Sequence, residues 1–182
     1  ERILKVANAQ YVYGLTATPI RKDGHQPIIF MQCGPIRYSA DAKAQMQSQS
    51  FQRLLVPRFT SFRLINNEDL SFTKVTQQIA EDEYRNILIV KDVLEVLKEG
   101  RSPIILSSRT SHVALLAELL QPHCPNVITL VGSNSTKEKR QKMEQLLSIP
   151  PSEPLVIVAT GKYIGEGFDY ARLDTLFLVS PV

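Results

Sequence analysis

Leu155-Val156-Ile157-Val158-Ala159-Thr160-Gly161-Lys162-Tyr163-Ile164-Gly165-Glu166-Gly167-Phe168-Asp169 is the stretch on which the fold turns. Leu155 to Ala159 are wholly apolar, so a strand built from them has no face suited to water and must be covered on both sides. The run then empties into a loop carrying Gly161, Gly165 and Gly167, where a missing Cβ lets backbone come close to a ligand. In open parallel sheets ligands bind beyond the carboxyl ends of the strands. The loop after Ala159 is therefore the first place to look for chemistry.

Working outward, the same kind of strand recurs. Pro103 opens Ile104-Ile105-Leu106, Val127 to Val131 precedes Gly132, and Thr175 to Val179 follows the glycine-rich loop. Helical patterns separate these strands. From Thr73 to Lys98, Val75, Ile79, Ile87, Val90, Val93, Leu94 and Leu97 mostly fall at helical spacing, and Gly100 is a suitable terminator. Ser111 is placed to cap a helix with Val113, Leu116, Ala117 and Leu120 on one face. Ser135-Thr136-Lys137-Glu138 has capping-box form; its helix is expected to bury Met143, Leu146 and Leu147 and to stop at Pro150-Pro151. Alternation of short apolar strands with helices predicts an α/β fold, a parallel sheet with helices on both faces.

The first third reads differently. Tyr11 to Thr18 is β-prone and runs into Pro19, where regular pairing must stop. Arg21-Lys22-Asp23-Gly24 reads as a turn, Pro27 to Met31 as a second apolar run, and Ile36 to Ser39 as a further strand. Asp41 to Gln52 is polar, rich in Ala, Gln and Ser and without an apolar stripe, so a linker or exposed helix is expected there. It separates residues 1–48 from residues 49–182. Leu54 to Ile65 is strand-like apart from Pro57. An opening Glu1-Arg2-Ile3 and a stop at Val182, directly after a strand, suggest a piece of a longer protein.

Bulk properties set broad limits. At 182 residues with 43% hydrophobic and 21% charged residues, the chain can build a real core. A net charge of +3 and a pI near 8.9 mildly favour phosphate-bearing partners, although clustering matters more than the sum. The two cysteines, Cys33 and Cys124, have neither the spacing of a zinc site nor that of a disulfide framework, and His123-Cys124 lacks further ligands. Apolar runs are strand-sized, so neither a membrane span nor a signal peptide is expected, and a reducing, cytoplasmic setting is the default.

Three loops at strand ends carry the candidate chemistry. In Gly14-Leu15-Thr16-Ala17-Thr18-Pro19, hydroxyls on alternate residues suit the relay of a phosphate state; the plain alternative is an edge strand with ordinary threonine content. In Ser107-Ser108-Arg109-Thr110-Ser111-His112, hydroxyls, a guanidinium and a helix start favour a phosphate, or else form a simple cap with a solvated arginine. In the Thr160 to Asp169 loop, Thr160 can meet a phosphate and Asp169 a sugar hydroxyl. This loop matches neither the dinucleotide fingerprint nor the Walker A pattern. Arg21, Lys22 and Lys162 either contact phosphates or keep their loops soluble. Gln121, His123 and the Lys137-Lys139-Arg140-Lys142 cluster read as a solvated helix face.

In their order along the chain these loops resemble the motif blocks of DEAD/DEAH-like helicases of the second superfamily, in particular the type III restriction-enzyme and excision-repair branch. Leu15 to Pro19, extended by Ile20 to Gly24, is similar to motif III; Ile104 to Arg109 to motif IV; Val156 to Asp169, followed by Leu173 to Leu176, to motif V. The resemblance implies that residues 1–48 are the tail of a first RecA-like domain plus linker. It implies that 49–182 are a second RecA-like domain, the helicase C-terminal domain, cut before motif VI. It also implies roles. Thr16 and Thr18 would couple ATP state to domain closure. Ser108, Arg109, Thr160, Gly161, Lys162 and Arg21 would contact the nucleic-acid backbone. Gly165, Glu166, Gly167 and Asp169 would line the nucleotide. ATP is the implied cofactor, with Mg2+ held by residues elsewhere, since neither a Walker A lysine nor an acidic motif precedes Thr16. Nucleic acid, DNA ahead of RNA, and the remainder of the polypeptide are the implied partners. Two alternatives stay open: a non-catalytic RecA-like module that docks nucleic acid or protein, and an unrelated nucleotide-binding α/β enzyme.

Overall fold

The computed structural model describes residues 9–16, 20, 24, 26–40, 53–64, 71–132, 136–164 and 168–181. The chain divides into two compact units, Glu1–Pro57 and Arg58–Val182.

In the first unit the described residues hold one helix, α1 (Gln26–Cys33). It occupies the apolar run at Pro27 to Met31 and ends at Gly34, whose φ of 79° lets its N–H turn back to Phe30 O at 2.9 Å. The expected strands are absent among the described residues: 11–16 and 36–39 are irregular, with Tyr13 and Leu15 exposed, and 17–18 lie outside the described residues. β-prone side chains make a strand only where another strand supplies the hydrogen bonds, and none among the described residues does so here. The proposed linker at 41–52 lies outside the described residues.

The second unit begins with an irregular segment at 58–64, which Arg58 anchors by a two-pronged pair to Asp92 (Nε to Oδ2 2.6 Å, Nη2 to Oδ1 2.7 Å). The strand expected from Leu54 is absent among the described residues. Then follow α2 (Phe72–Glu81), α3 (Glu83–Lys98), β1 (Pro103–Ser107), α4 (Thr110–Leu120), β2 (Asn126–Leu130), α5 (Thr136–Ser148), β3 (Leu155–Thr160), the short α6 (Gly161–Ile164) and β4 (Thr175–Leu178). The single long helix expected over Thr73 to Lys98 is two helices. Asp82 adopts an extended backbone and its Oδ1 accepts the Arg85 N–H at 2.7 Å, so it restarts the chain as an N-cap instead of continuing α2. At the far end of α3, Gly100 (φ 76°) and Arg101 donate backbone N–H groups to Leu97 O and Val96 O, the paired bonds of a Schellman stop.

All four strands are parallel, in the order β2-β3-β1-β4. β3 lies at the centre and is buried at every position, as its composition required. Its alternation splits the core in two. Val156 and Val158 join Ile89, Val93, Ile105, Val113, Leu116, Leu120 and Cys124 under α3 and α4. Leu155, Ile157 and Ala159 join Ile104, Ile128, Leu130, Leu146 and Ile149 under α5. The helix α5 departs from expectation in one respect: Leu146 is fully buried and Met143 half-buried, but Leu147 is 66% exposed. One residue is a turn of about 100° around a helix, enough to carry Leu147 off the stripe.

Candidate functional site

Parallel pairing brings the carboxyl ends of the strands to one edge, and the register says which residues meet there. Ser107 at the end of β1 pairs with Thr160 at the end of β3, and Leu106 with Leu178 of β4. Ser108 and Arg109 therefore leave the sheet beside Thr160, Gly161 and Lys162. Five of the residues expected to contact a nucleic-acid backbone, drawn from loops 52 residues apart in sequence (108 to 160), are neighbours along this edge.

Three of them are held by specific bonds. The Ser108 N–H donates to Ser180 Oγ at 2.7 Å, and the Arg109 N–H to Ser107 Oγ at 3.3 Å. Thr160, 6% exposed, accepts the Gly132 N–H on its Oγ1 at 3.3 Å, so it ties the end of β2 to the end of β3. Ser108, Gly161 and Lys162 are exposed, and space beside Gly161 is open: an added Cβ would meet nothing within 4 Å. The Lys162 stem passes about a van der Waals distance from Gly132, 3.6 Å from where a Cβ would stand. A methyl group at 132 would therefore make ordinary contact with it.

Arg109 is half-buried, and one prong of its guanidinium is already used. Nη1 donates to Thr73 O at 3.1 Å and Thr76 Oγ1 at 3.3 Å, at the start of α2. The arginine expected to reach a phosphate is thus also a brace between the β1 loop and a helix. As N-cap of α4 it offers no side-chain bond to the helix start. Ser111, expected to cap, lies inside the first turn instead.

The glycine-rich connection contains the short helix α6, and the aromatic residues around it face inward. Tyr163, Ile164, Phe168 and Tyr170 pack against the α5 side of the core, while Lys139 Nζ sits 5.4 Å from the centre of the Tyr163 ring. Burial pushes the Tyr163 hydroxyl above its ordinary pKa. Two members of the cluster read as a solvated face are in fact engaged. Lys139 covers Tyr163, and Lys142 Nζ donates to Thr129 O and, at 2.8 Å, to Thr129 Oγ1. Loss of solvent lowers the Lys142 pKa, partly offset by Glu138. Lys137 and Arg140 are exposed as expected.

Of the remaining candidates, Asp169 is exposed beyond α6, and Thr16 is exposed in the first unit. Thr18, Arg21, Gly165, Glu166 and Gly167 lie outside the described residues. Among the described residues no cluster of three His, Cys, Asp or Glu could hold a metal, and no helix is long and apolar enough to cross a membrane.

The structure adds residues the sequence did not single out. Ser180 and Gly132 belong to the edge simply because they follow β4 and β2, a signal the strand assignments already contained. Asn86, buried behind the edge at 2% exposure, had no such signal, and His112, at 1%, was marked only as the last residue of the Ser107 loop.

No family model matches the chain. In sequence it is 22% identical over 175 residues to the transcript termination protein A18 of fowlpox virus (strain NVSL), covering 93% of this chain and 37% of that protein. It is 24% identical over 190 residues to protein 161L of invertebrate iridescent virus 6, whose name marks it as a candidate helicase, covering 100% of this chain and 41% of that one. The chain thus spans about two fifths of the length of these curated relatives. Among solved structures, T4 UvsW matches with a TM-score of 0.52 at 18% identity, over 63% of this chain and 23% of that one. The SWI2/SNF2 ATPase core domain of Sulfolobus solfataricus matches with a TM-score of 0.50 at 16% identity, over 59% and 25%. The parallel sheet flanked by helices is therefore the RecA-like fold that these solved structures share.

Proposed function

We propose that the chain is part of an ATP-dependent nucleic-acid helicase or translocase. Residues up to 48 are the tail of a first RecA-like domain, and residues from 49 form most of the second. The observation that carries this reading is the meeting of Ser108, Arg109, Thr160, Gly161 and Lys162 on one carboxyl edge. An edge of hydroxyls and cations suits phosphate rather than base edges, so recognition is of the backbone and largely independent of sequence. Asp169, with Gly165 to Gly167, would face the nucleotide, and Thr16 and Thr18 would couple ATP state to closure. ATP is the fuel, Mg2+ is held by residues elsewhere in the polypeptide, and DNA is placed ahead of RNA. Residues 1–182 by themselves would neither hydrolyse ATP nor unwind, because phosphoryl transfer depends on a phosphate-binding lysine, an acidic Mg2+ site and arginine fingers.

The test is ATP-dependent displacement of a labelled strand from a partial duplex by the full-length protein. Displacement with ATP and none without it supports the motor. Tight, salt-sensitive binding with no displacement and no movement along the strand would favour a docking module instead.

A further inference from the structure

Behind the candidate edge runs a line of buried polar groups that the functional reading leaves unused. Asn86 Nδ2 donates to Ala80 O at 2.9 Å, so the other amide atom, Oδ1, is the one that faces His112 Nε2, also at 2.9 Å. His112 Nε2 must then carry the proton and donate it. His112 Nδ1 is left as an acceptor, and the Ser107 hydroxyl donates to it at 3.0 Å. Ser107 Oγ in turn accepts the Arg109 N–H at 3.3 Å. The direction is consistent from end to end: every donor has an acceptor and no proton is shared twice. Asn86, His112 and Ser107 are each 2% exposed or less.

Serine, histidine and asparagine in a row look like nucleophilic machinery, but this hydroxyl is sealed from solvent and already spends its proton on His112 and a lone pair on Arg109. The line does something else: it ends on the backbone of the loop that forms the edge. A second set of bonds reaches the same loop. Arg109 Nη1 grips the start of α2 through Thr73 O and Thr76 Oγ1, while Asn86 grips the end of α2 through Ala80 O. Arg85, next to Asn86, donates to Ile79 O at 3.4 Å and to Val179 O, one residue before the Ser180 that holds the Ser108 N–H. An apolar side chain at 112 would fill the space, yet it would leave Ser107 Oγ free to rotate away from Arg109.

We infer that His112 is a positioning residue for the nucleic-acid edge: through Ser107 it fixes the backbone at Ser108 and Arg109, and phosphate grip depends on it although it never touches the ligand. This rests on the backbone-contact reading above.

The experiment measures binding of a fluorescein-labelled oligodeoxythymidine strand to the full-length protein across a salt series, for wild type, His112→Phe, His112→Gln, Ser107→Ala, Arg109→Gln and the His112→Phe/Arg109→Gln double variant. His112→Phe is expected to weaken binding roughly five- to tenfold and to reduce the log–log salt slope by about 0.7, the loss of one phosphate contact on a single strand. Glutamine supplies one donor and one acceptor in the same place, so it restores both quantities. His112→Phe adds nothing once Arg109 is already glutamine. Should the phenylalanine variant not fold, Ser107→Ala carries the test with a smaller loss in the same direction. A folded His112→Phe with wild-type affinity, or with weaker binding at an unchanged salt slope, overturns the inference and leaves the backbone-contact reading standing. If the wild type shows no salt-dependent binding at all, both fall together.

Discussion

At the scale of single residues, His112 is the clearest case of environment deciding chemistry. Burial, and secondarily the charge of Arg85, lower its pKa from 6.5 to about 4. A base whose folded pKa is depressed binds fewer protons than in the unfolded chain between those two values, so stability rises with pH there. The stabilisation is complete above about pH 6.5 and is lost as pH falls toward 4; its full size is on the order of 3 kcal/mol. Urea unfolding of wild type and His112→Gln between pH 7 and 4 should show a steep loss for wild type and a shallower one for the variant; parallel curves would contradict it. Arg109 is a second case. Replacing it with Ala removes the bonds to Thr73 and Thr76 and should lower stability by about 1 kcal/mol. A loss of nucleic-acid affinity in that variant must therefore be read beside its unfolding curve. Arg109 was legible as a candidate because it follows an apolar strand. His112, three residues on, was legible only as part of the same loop. Which face of a helix a lone histidine occupies depends on partners, here Asn86 and Ser107, that come from other elements.

Elements were legible in proportion to how far their own residues settle the matter. β3 is apolar at every position but its last, and no local alternative satisfies it; it became the buried centre of the sheet. Ile157 lies at 0% exposure, and Ile157→Ala should cost about 2–5 kcal/mol in equilibrium unfolding. The break between α2 and α3 was not read, because apolar spacing continues across it and Asp82 sits in a run of acids that looks like an exposed helical turn. Its capping bond to the Arg85 N–H is what interrupts the pattern. Asp82→Ala should lower stability by about 1 kcal/mol, and a variant as stable as wild type would show that the break is imposed by packing instead. The first unit is the opposite case. Tyr11 to Thr16 carries strand-forming side chains but has no strand beside it among the described residues, and Pro27 to Met31 lies within a helix although its composition suits either state.

For the whole molecule, composition says little and arrangement says much. A charge of +3 spread over 182 residues would fit many proteins. Hydroxyls, glycines and cations gather at the ends of neighbouring parallel strands, and the fold that gathers them is one the chain shares with T4 UvsW and the SWI2/SNF2 ATPase core. The fold was readable because four short apolar runs alternate with helices. The edge was readable because parallel strands place their following loops together. The hydrogen-bonded brace behind it, linking residues from 80 to 112, is a property of tertiary structure alone. The most direct test of the motor reading is the rate of ATP hydrolysis by the full-length protein with and without nucleic acid, beside the same assay on residues 1–182. The account predicts hydrolysis stimulated by nucleic acid in the full-length protein and none from the shorter chain. A full-length protein that binds nucleic acid yet hydrolyses no ATP would contradict it.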